Sequence, residues 1–575
     1  MNRASNKYSS ILNLLLMFIA AFTVALTFYS CSKFYTYLPT SDTWIYTDFL
    51  AQAMQGHLDV ATLFERHIGV HVIALPKLVY FFDMWLTGGS GALVTGVSLI
   101  AMSATTIIFV AVIFRNTAID KQEKIFISLI TTIFLMSACQ AESLMNPANL
   151  QWSLLVFTAT LSAWFFYRYT LKKSVLNLMG LFTGITLVSL TSASPLLIII
   201  PLVLFVLRKK ITKRVALIVM ILLLATIGIV GIIFSEYIRF IPALLANWLK
   251  FTIDFLAPPI ERLDSMWATV VTGMLLLAAL FKLASTKLQF EEKETDFFSL
   301  LWLFSLFVIF ATGVARAYSP TGFTFRFVNI GVLFNATLFP LLYLNMKSQR
   351  AQRIAAGTIL FIYIGVLTYV NVTEVSTFGY GRNHWKLTQV AHALDINDPF
   401  VVSAMPGTIW EKQDFDYVQA NKHKLQEVGA GIYGSKEYKN VGKPIKELGN
   451  LTDTSCKTTI IKMRRLLPDQ AGYRLLGETL SDQGVVFSRA YFVDDKNMIR
   501  GFAIPMEPGK NILKNLWLNE QWGGFVNLDS SAEQQSLTLY AYSDSQICQG
   551  EKIELPDYLD LKRQDLRKKS EATEQ

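Results

Sequence analysis

The chain has 575 residues, 52% of them hydrophobic and 13% aromatic, with a mean hydropathy of +0.39. Its apolar residues come in repeated runs of about 16 to 24 separated by short basic stretches, which excludes a soluble globular protein and reads as a polytopic membrane protein. The net charge of +9 does not imply nucleic acid: residues 373–575 are nearly balanced, so the basic excess falls on the apolar part, as a positive-inside bias produces.

The first run, near Ser10 to Tyr29, is long enough to span and lacks a small-residue cleavage site, so it reads as a retained helix. Basic clusters then mark the cytoplasmic loops: Arg3 with Lys7; Arg115, Lys121 and Lys124; Arg168, Lys172 and Lys173; Arg208 through Arg214; Lys282 and Lys287; Lys347, Arg350 and Arg353. Spans threaded between them fall near 9–29, 91–114, 125–140, 149–168, 175–190, 194–207, 215–235, 267–282, 297–315, 326–346 and 354–371. About eleven crossings place the N-terminus in the cytoplasm and the C-terminal part outside. The expected fold is an α-helical polytopic membrane domain over 1–372, followed by a soluble extracytoplasmic α+β or mostly β domain over 373–575.

Residues 31–90 form one large external loop in this topology. Its stretch 69–87 is apolar but interrupted by His71, Pro76, Lys77 and Asp83, and a full crossing there would invert every later basic loop; a juxtamembrane or re-entrant element fits better. Trp44, Tyr46, Phe49, Leu50, Ala53 and Met54 recur at helical spacing opposite Asp48 and Gln52, which suggests an amphipathic helix on the bilayer surface. After Tyr369 the sequence becomes mixed and polar. Turn residues appear at Asp494-Asp495-Lys496-Asn497 and Gly523-Gly524, strand-like runs at Gly484–Phe487, Phe502–Ile504 and Leu537–Ala541, and a charged helical tail from Tyr558. Cys456 and Cys548 can pair if this part lies outside the cytosol; two structural thiols are the alternative.

Candidate chemistry starts with Asp42, a carboxylate amid aromatics where the chain first leaves the bilayer. Partial desolvation there suits a base for an acceptor hydroxyl. Asp48 and Asp59 belong to amphipathic patterns and face water. His67 and His71 stand at i and i+4, so on a helix they share a face; hydrogen bonding to sugar or phosphate is the expectation, since no third metal ligand is evident, and satisfied interfacial histidines are the alternative. The loop from Gln140 to Trp152 packs amides, Glu142 and an indole together, with Gln151 at its end, and suits a polyol. Its plain alternative is a capped helix hairpin. Arg316 and Arg326 end and begin neighbouring spans on the outer side, where cations are unusual, and match a lipid phosphate; snorkelling to headgroups is the rival. The outer loop around Glu236, Arg239, Lys250, Asp254, Glu261, Arg262 and Asp264 has no specific spacing.

These residues resemble the GT-C class of polytopic glycosyltransferases, whose first external loop carries an essential acid just after the first transmembrane helix. A narrower similarity is to bacterial envelope proteins grouped with glucosyl- or mannosyltransferases, which combine an early Asp-x-Trp, a His-Arg block before Pro-Arg, an acid-and-glutamine loop, and a late Gly-x-Arg with Arg-Tyr. The counterparts are Asp42 with Trp44, His71 before Pro76-Lys77, Glu142 with Gln151, then Arg316 and Arg326-Phe327; His-Arg has become His71-Val72 and Arg-Tyr has become Arg326-Phe327. The resemblance implies a polyprenyl-phosphate-linked sugar as donor and transfer on the outer face of the bacterial cytoplasmic membrane to an envelope glycan or lipid-linked acceptor. It leaves a divalent cation open, with Asp42 as base or metal ligand. An envelope polysaccharide polymerase or ligase, a lipid or glycan transporter, and a non-enzymatic envelope protein are the other readings; nucleic acid is not a partner.

Overall fold

The structure, a computed structural model, describes residues 2–33, 35–67, 71–117, 119–192, 198–203, 293–316, 327–345, 350–396, 412–448, 451–465, 472–481, 486–487, 489–506, 521–528, 536–542 and 547–555. The first helix, α1 (Asn2–Lys33), contains neither glycine nor proline, so nothing interrupts its hydrogen-bond ladder. The helices that follow are α2 (Thr47–Met54), α3 (Val60–Phe64), α4 (Ala74–Thr87), α5 (Ala92–Arg115), α6 (Lys121–Leu135), α7 (Ala141–Met145), α8 (Leu150–Leu171), α9 (Val175–Ser192), α10 (Lys293–Arg316), α11 (Val328–Asn345), α12 (Arg350–Ala393), α13 (Lys412–Val428) and α14 (Lys436–Lys439). Two short strands, β1 (Arg66–His67) and β2 (His71–Val72), form a hairpin.

Five helical segments among the described residues are long and apolar enough to cross a membrane: Ile11–Lys33, Ala92–Arg115, Lys121–Gln140, Pro147–Leu171 and Asp296–Gly313. Three shorter apolar helices, Val175–Thr191, Val328–Tyr343 and Leu360–Thr373, coincide with further expected spans. The expected spans near 215–235 and 267–282, part of that near 194–207, the outer loop around 236–264 and the tail from Tyr558 lie outside the described residues. Phe18, Ile100, Leu176 and Phe182 are exposed on the outside of these helices, as side chains facing lipid are.

The chain divides into two compact units. The helical unit comprises Met1–Tyr35, Asp59–Tyr80 and Leu93–Val375; the barrel unit comprises Thr36–Leu58, Phe81–Ala92 and Ser376–Gln575. Two pieces of the expected external loop therefore belong with the C-terminal part of the chain.

Polar contacts fix the directions of the helices within the helical unit. Asn13 of α1 donates to Gln122 Oε1 at 2.8 Å and Thr27 donates to the Met136 carbonyl at 2.6 Å, so α1 and α6 run parallel. Tyr343 of α11 donates to Glu123 Oε1 at 3.1 Å, whereas Asn329 donates to Ser153 Oγ of α8 at 2.9 Å. Helix α11 therefore runs against α6 and with α8. Helices α8 and α9 approach closely, because a Cβ on Gly184 would collide with Ser162.

In the barrel unit the strands are β3 (Leu451–Arg465), β4 (Gly472–Ser481), β5 (Val486–Phe487), β6 (Arg489–Val493), β7 (Ile499–Met506), β8 (Gln521–Asn527), β9 (Ser536–Tyr542) and β10 (Ile547–Glu554). They pair in the order β3-β10-β9-β6-β7-β8-β4-β5, and β3 also pairs with β4, closing the sheet into a barrel. The β10–β3 pair is parallel and the others antiparallel. Inward-facing Leu475, Phe492, Trp522, Leu537 and Leu539 are fully buried, and Trp522 Nε1 donates to Thr479 Oγ1 at 2.9 Å. On the outside, Tyr542 donates to Glu437 Oε1 at 2.7 Å and tethers α14 to the sheet.

Three local expectations are corrected by this fold. Gly523-Gly524 is not a turn but lies inside β8, where a Cβ on Gly524 would run into the Phe502 carbonyl of the neighbouring strand. The Asp494–Asn497 turn does form, with Asn497 at φ 61°. Helix α12 does not stop at the end of its apolar run near Thr373 but continues to Ala393, because Trp385, Leu387, Val390 and Ala391 give it a second buried face. The Trp44–Met54 segment is not one surface helix. It is a 3-10 turn, Ser41–Tyr46, followed by α2, and its apolar side chains Trp44, Tyr46, Phe49, Leu50 and Ala53 are buried against protein.

Cys456 of β3 and Cys548 of β10 are joined in a disulfide, with Cα atoms 5.8 Å apart; Cys31 and Cys139 are free and buried. Alkylation of the protein unfolded without reductant is therefore expected to label Cys31 and Cys139 alone, and reductant to add the other two. Labelling of all four without reductant would contradict the pairing.

Candidate functional site

Asp42 is positioned by a segment that enters the barrel unit as extended chain. Leu38 N–H donates to the Gly89 carbonyl at 2.7 Å, and Gln389 of α12 donates to the Tyr37 carbonyl at 2.6 Å. A further strap, Gly431 N–H to the Gly88 carbonyl at 2.7 Å, holds the partner of that strap in place, and Gly431 must be glycine because a Cβ would strike the Leu38 carbonyl. Thr40 and Thr43 then close the turn reciprocally: Thr43 Oγ1 donates to the Thr40 carbonyl at 2.6 Å and accepts from the Thr40 N–H at 2.7 Å. Asp42 sits in the first turn of the resulting 3-10 helix, half-buried, where free N–H groups favour a carboxylate.

Two residues on, the buried Trp44 ring lies 6.0 Å from that of His392, tilted by 43°. His392 occupies the last turn of α12. That helix ends on Asp395, whose φ of 61° allows Ile396 N–H to reach back to the Ala391 carbonyl at 2.8 Å. Asn527 of β8 donates to the Leu394 carbonyl at 2.9 Å, so the barrel itself supports the helix end that carries His392. Lys422 of α13 pairs with Asp395. Burial, reinforced by the Lys422 charge, pushes the His392 pKa down to about 4, so its imidazole is neutral at physiological pH and can donate or accept one hydrogen bond on each nitrogen. Asp48 faces water as expected and pairs with Lys424 at 2.7 Å; Asp59 is exposed and caps α3.

The remaining candidates belong to the helical unit. His67 and His71 are not on a helix: they are Cα partners in the β1–β2 hairpin. Antiparallel pairing of Arg66 with Val72 and of His67 with His71 meets their main-chain hydrogen-bonding needs across two strands instead of along a helix. Lys77 braces this element, donating to the Thr62 carbonyl at 2.6 Å and the Glu65 carbonyl at 3.0 Å. Glu142 lies on α7 and Arg316 at the end of α10, by backbone. The side chains of His67, His71, Glu142 and Arg316, and all of Arg326, lie outside the described residues.

Gln151 is half-buried in the first turn of α8. The helical unit also holds a polar knot that composition alone does not reveal. Asn371 Oδ1 accepts from Ser137 Oγ at 2.6 Å and from the Cys139 N–H at 3.2 Å; Tyr80 donates to the Pro147 carbonyl at 2.7 Å. Trp152 meets Phe327 edge-on at 4.7 Å. Four further buried atoms, Trp152 Nε1, Asn371 Nδ2, Gln140 Oε1 and Asn329 Oδ1, have no hydrogen-bond partner among the described residues. They offer two donors and two acceptors.

His392, Lys422 and Asp395 escape a reading of the sequence, whose only signal is a histidine at the end of a helical apolar pattern. Among the described residues no three histidine, cysteine or carboxylate side chains gather as a metal-binding group. The chain matches no family model, no curated protein and no solved structure.

The buried His392 makes stability depend on pH. The unfolded imidazole titrates near 6.5 and the folded one near 4, so the unfolded state binds more protons between these values. Its contribution is complete above pH 6.5 and is lost as the pH falls toward 4, by about 3 kcal/mol in all. Melting temperature measured against pH is expected to drop over this window, and His392→Gln to flatten the drop; an unchanged slope in the variant would assign the effect to other groups.

Proposed function

We propose that the protein is a membrane glycosyltransferase that moves a sugar from a polyprenyl-phosphate donor to an envelope glycan or lipid-linked acceptor on the outer face of the bacterial cytoplasmic membrane. The observation that carries the reading is Asp42: a half-buried carboxylate on a turn closed by reciprocal hydrogen bonds between the Thr43 hydroxyl and the Thr40 backbone, soon after a helix long enough to span the membrane. A base for hydroxyl deprotonation needs a fixed position and partial shielding, and this turn supplies both.

Asp42 takes the proton of the acceptor hydroxyl as its oxygen bonds to the anomeric carbon. The bond from that carbon to the phosphate oxygen breaks, and the lipid phosphate departs as a stable anion, which needs no strong acid. Arg316 and Arg326 are the cations assigned to it, because guanidinium forks match phosphate oxygens. Glu142 and Gln151 are assigned to the hydroxyls of the sugar, which a carboxylate and an amide suit as hydrogen-bond partners. His67 and His71 are assigned hydrogen bonding to sugar or phosphate, and Trp44 an apolar wall beside Asp42.

Two observations favour catalysis outside the cytosol. The Cys456–Cys548 disulfide belongs to an oxidising compartment. In the helical unit, Arg115, Lys121, Lys124 and Arg168 cluster at the end marked by the Asn13–Gln122 contact, away from the Ser137–Asn371 knot, as a positive-inside bias would arrange them.

Asp42→Asn is expected to lower transfer by roughly a hundredfold or more while leaving membrane insertion and abundance unchanged. Product mass, measured with membranes supplied with polyprenyl-phosphate sugars, should increase by one sugar per event. Substantial activity in the variant would remove Asp42 from its role, and products extended by whole blocks would make the enzyme a polymerase.

A further inference from the structure

We propose that Arg115, Trp164 and Arg168 form a headgroup site for an anionic phospholipid at the basic end of the helical unit. Arg115 ends α5, while Trp164 and Arg168 lie one turn apart on α8. The guanidinium carbon of Arg115 is 5.0 Å from the centre of the Trp164 ring and that of Arg168 is 5.8 Å from it. Two cations from different helices thus share one indole and stand no further apart than those two distances together.

The indole is itself fixed, because the buried Tyr167 ring lies 6.0 Å from it. Stacking over a ring restrains the plane of each guanidinium and leaves its N–H fork free to bind oxygen anions. Among the described residues neither arginine has a carboxylate partner. Two like charges that share one ring repel, and an acidic headgroup bound at this end relieves the repulsion with charge-assisted hydrogen bonds.

Neighbouring side chains choose between a lipid and a free anion. Phe114, next to Arg115, and Leu171, one turn beyond Arg168, are 46% and 41% exposed, so apolar surface adjoins the cationic pair. A ligand with an anionic head and acyl chains satisfies both, as basic pockets between transmembrane helices do for acidic headgroups. Inorganic phosphate satisfies only the first. None of these residues has a role in the transfer proposed above.

The test uses the full chain in neutral detergent, titrated with dioleoyl phosphatidylglycerol, dioleoyl phosphatidylcholine or inorganic phosphate, with bound lipid counted by native mass spectrometry and melting temperature followed in parallel. Phosphatidylglycerol is expected to form a discrete adduct and raise the melting temperature, and the other two to do neither. Affinity should fall roughly fivefold for each arginine removed in R115Q, R168Q and their combination. The control K172Q/K173Q, which removes two exposed charges from the same end, should lose less than R115Q/R168Q. Equal protection by phosphatidylcholine or phosphate, or an equal loss in the lysine control, would overturn the site. If the double arginine variant does not fold, the single variants decide: unchanged affinity in both is the overturning result.

Discussion

Backbone hydrogen bonds on a short extended segment hold the first loop of this protein in place. Leu38 N–H and the Tyr37 carbonyl are both satisfied by groups distant in sequence, on the Gly89 turn and on α12. With those bonds made, the Thr40–Thr43 turn, Asp42 and the buried Trp44 have fixed positions; without them, residues 36–46 would be a solvated connector. A side-chain carboxylate acts as a base only where its geometry is kept, so the chemistry proposed for Asp42 depends on main-chain pairing several residues before it.

The same economy of polar groups shapes the helical unit. Inside apolar helices an unmatched amide or hydroxyl is expensive, and several amide side chains here find partners on neighbouring helices. Ser137 bonds Asn371 and accepts from Gln140 while Cys139 N–H donates to Asn371 at one end, and Asn13, Gln122, Glu123 and Tyr343 meet at the other. These contacts set helix direction more sharply than apolar packing, which is nearly indifferent to rotation and polarity. Buried atoms of Gln140, Trp152, Asn329 and Asn371 stay without a hydrogen-bond partner among the described residues.

Much of the architecture was legible because lipid imposes a length and a composition on whatever crosses it. The runs that became α1, α5, α6, α8 and α10 needed no knowledge of their neighbours. Asp42 drew its proposed role from the same rule, as a carboxylate just past such a run. Errors arose wherever short-range pattern had to compete with a long-range partner. The Trp44–Met54 stripe was apolar enough for a bilayer surface, but α13 and α12 were available to cover it. Gly523-Gly524 had the composition of a turn, yet adjacent strands of a closed barrel approach there too closely for a side chain. His67 and His71 had helical spacing on paper and cross-strand pairing in fact, since the segments that carry them pair antiparallel.

By itself, then, the sequence determined what local composition can determine: apolar helices of membrane length, a polar C-terminal part with β character, and an acid soon after the first apolar run. Only the tertiary structure decided that strands β3 and β4 meet to close the barrel, that Cys456 pairs with Cys548 across a separation of 92 residues, and that His392 is buried beside Trp44. Each of these joins groups far apart along the chain. Which distant partners meet is set by mutual burial and hydrogen-bond satisfaction over the whole fold, and no window of sequence contains both sides of such a contact.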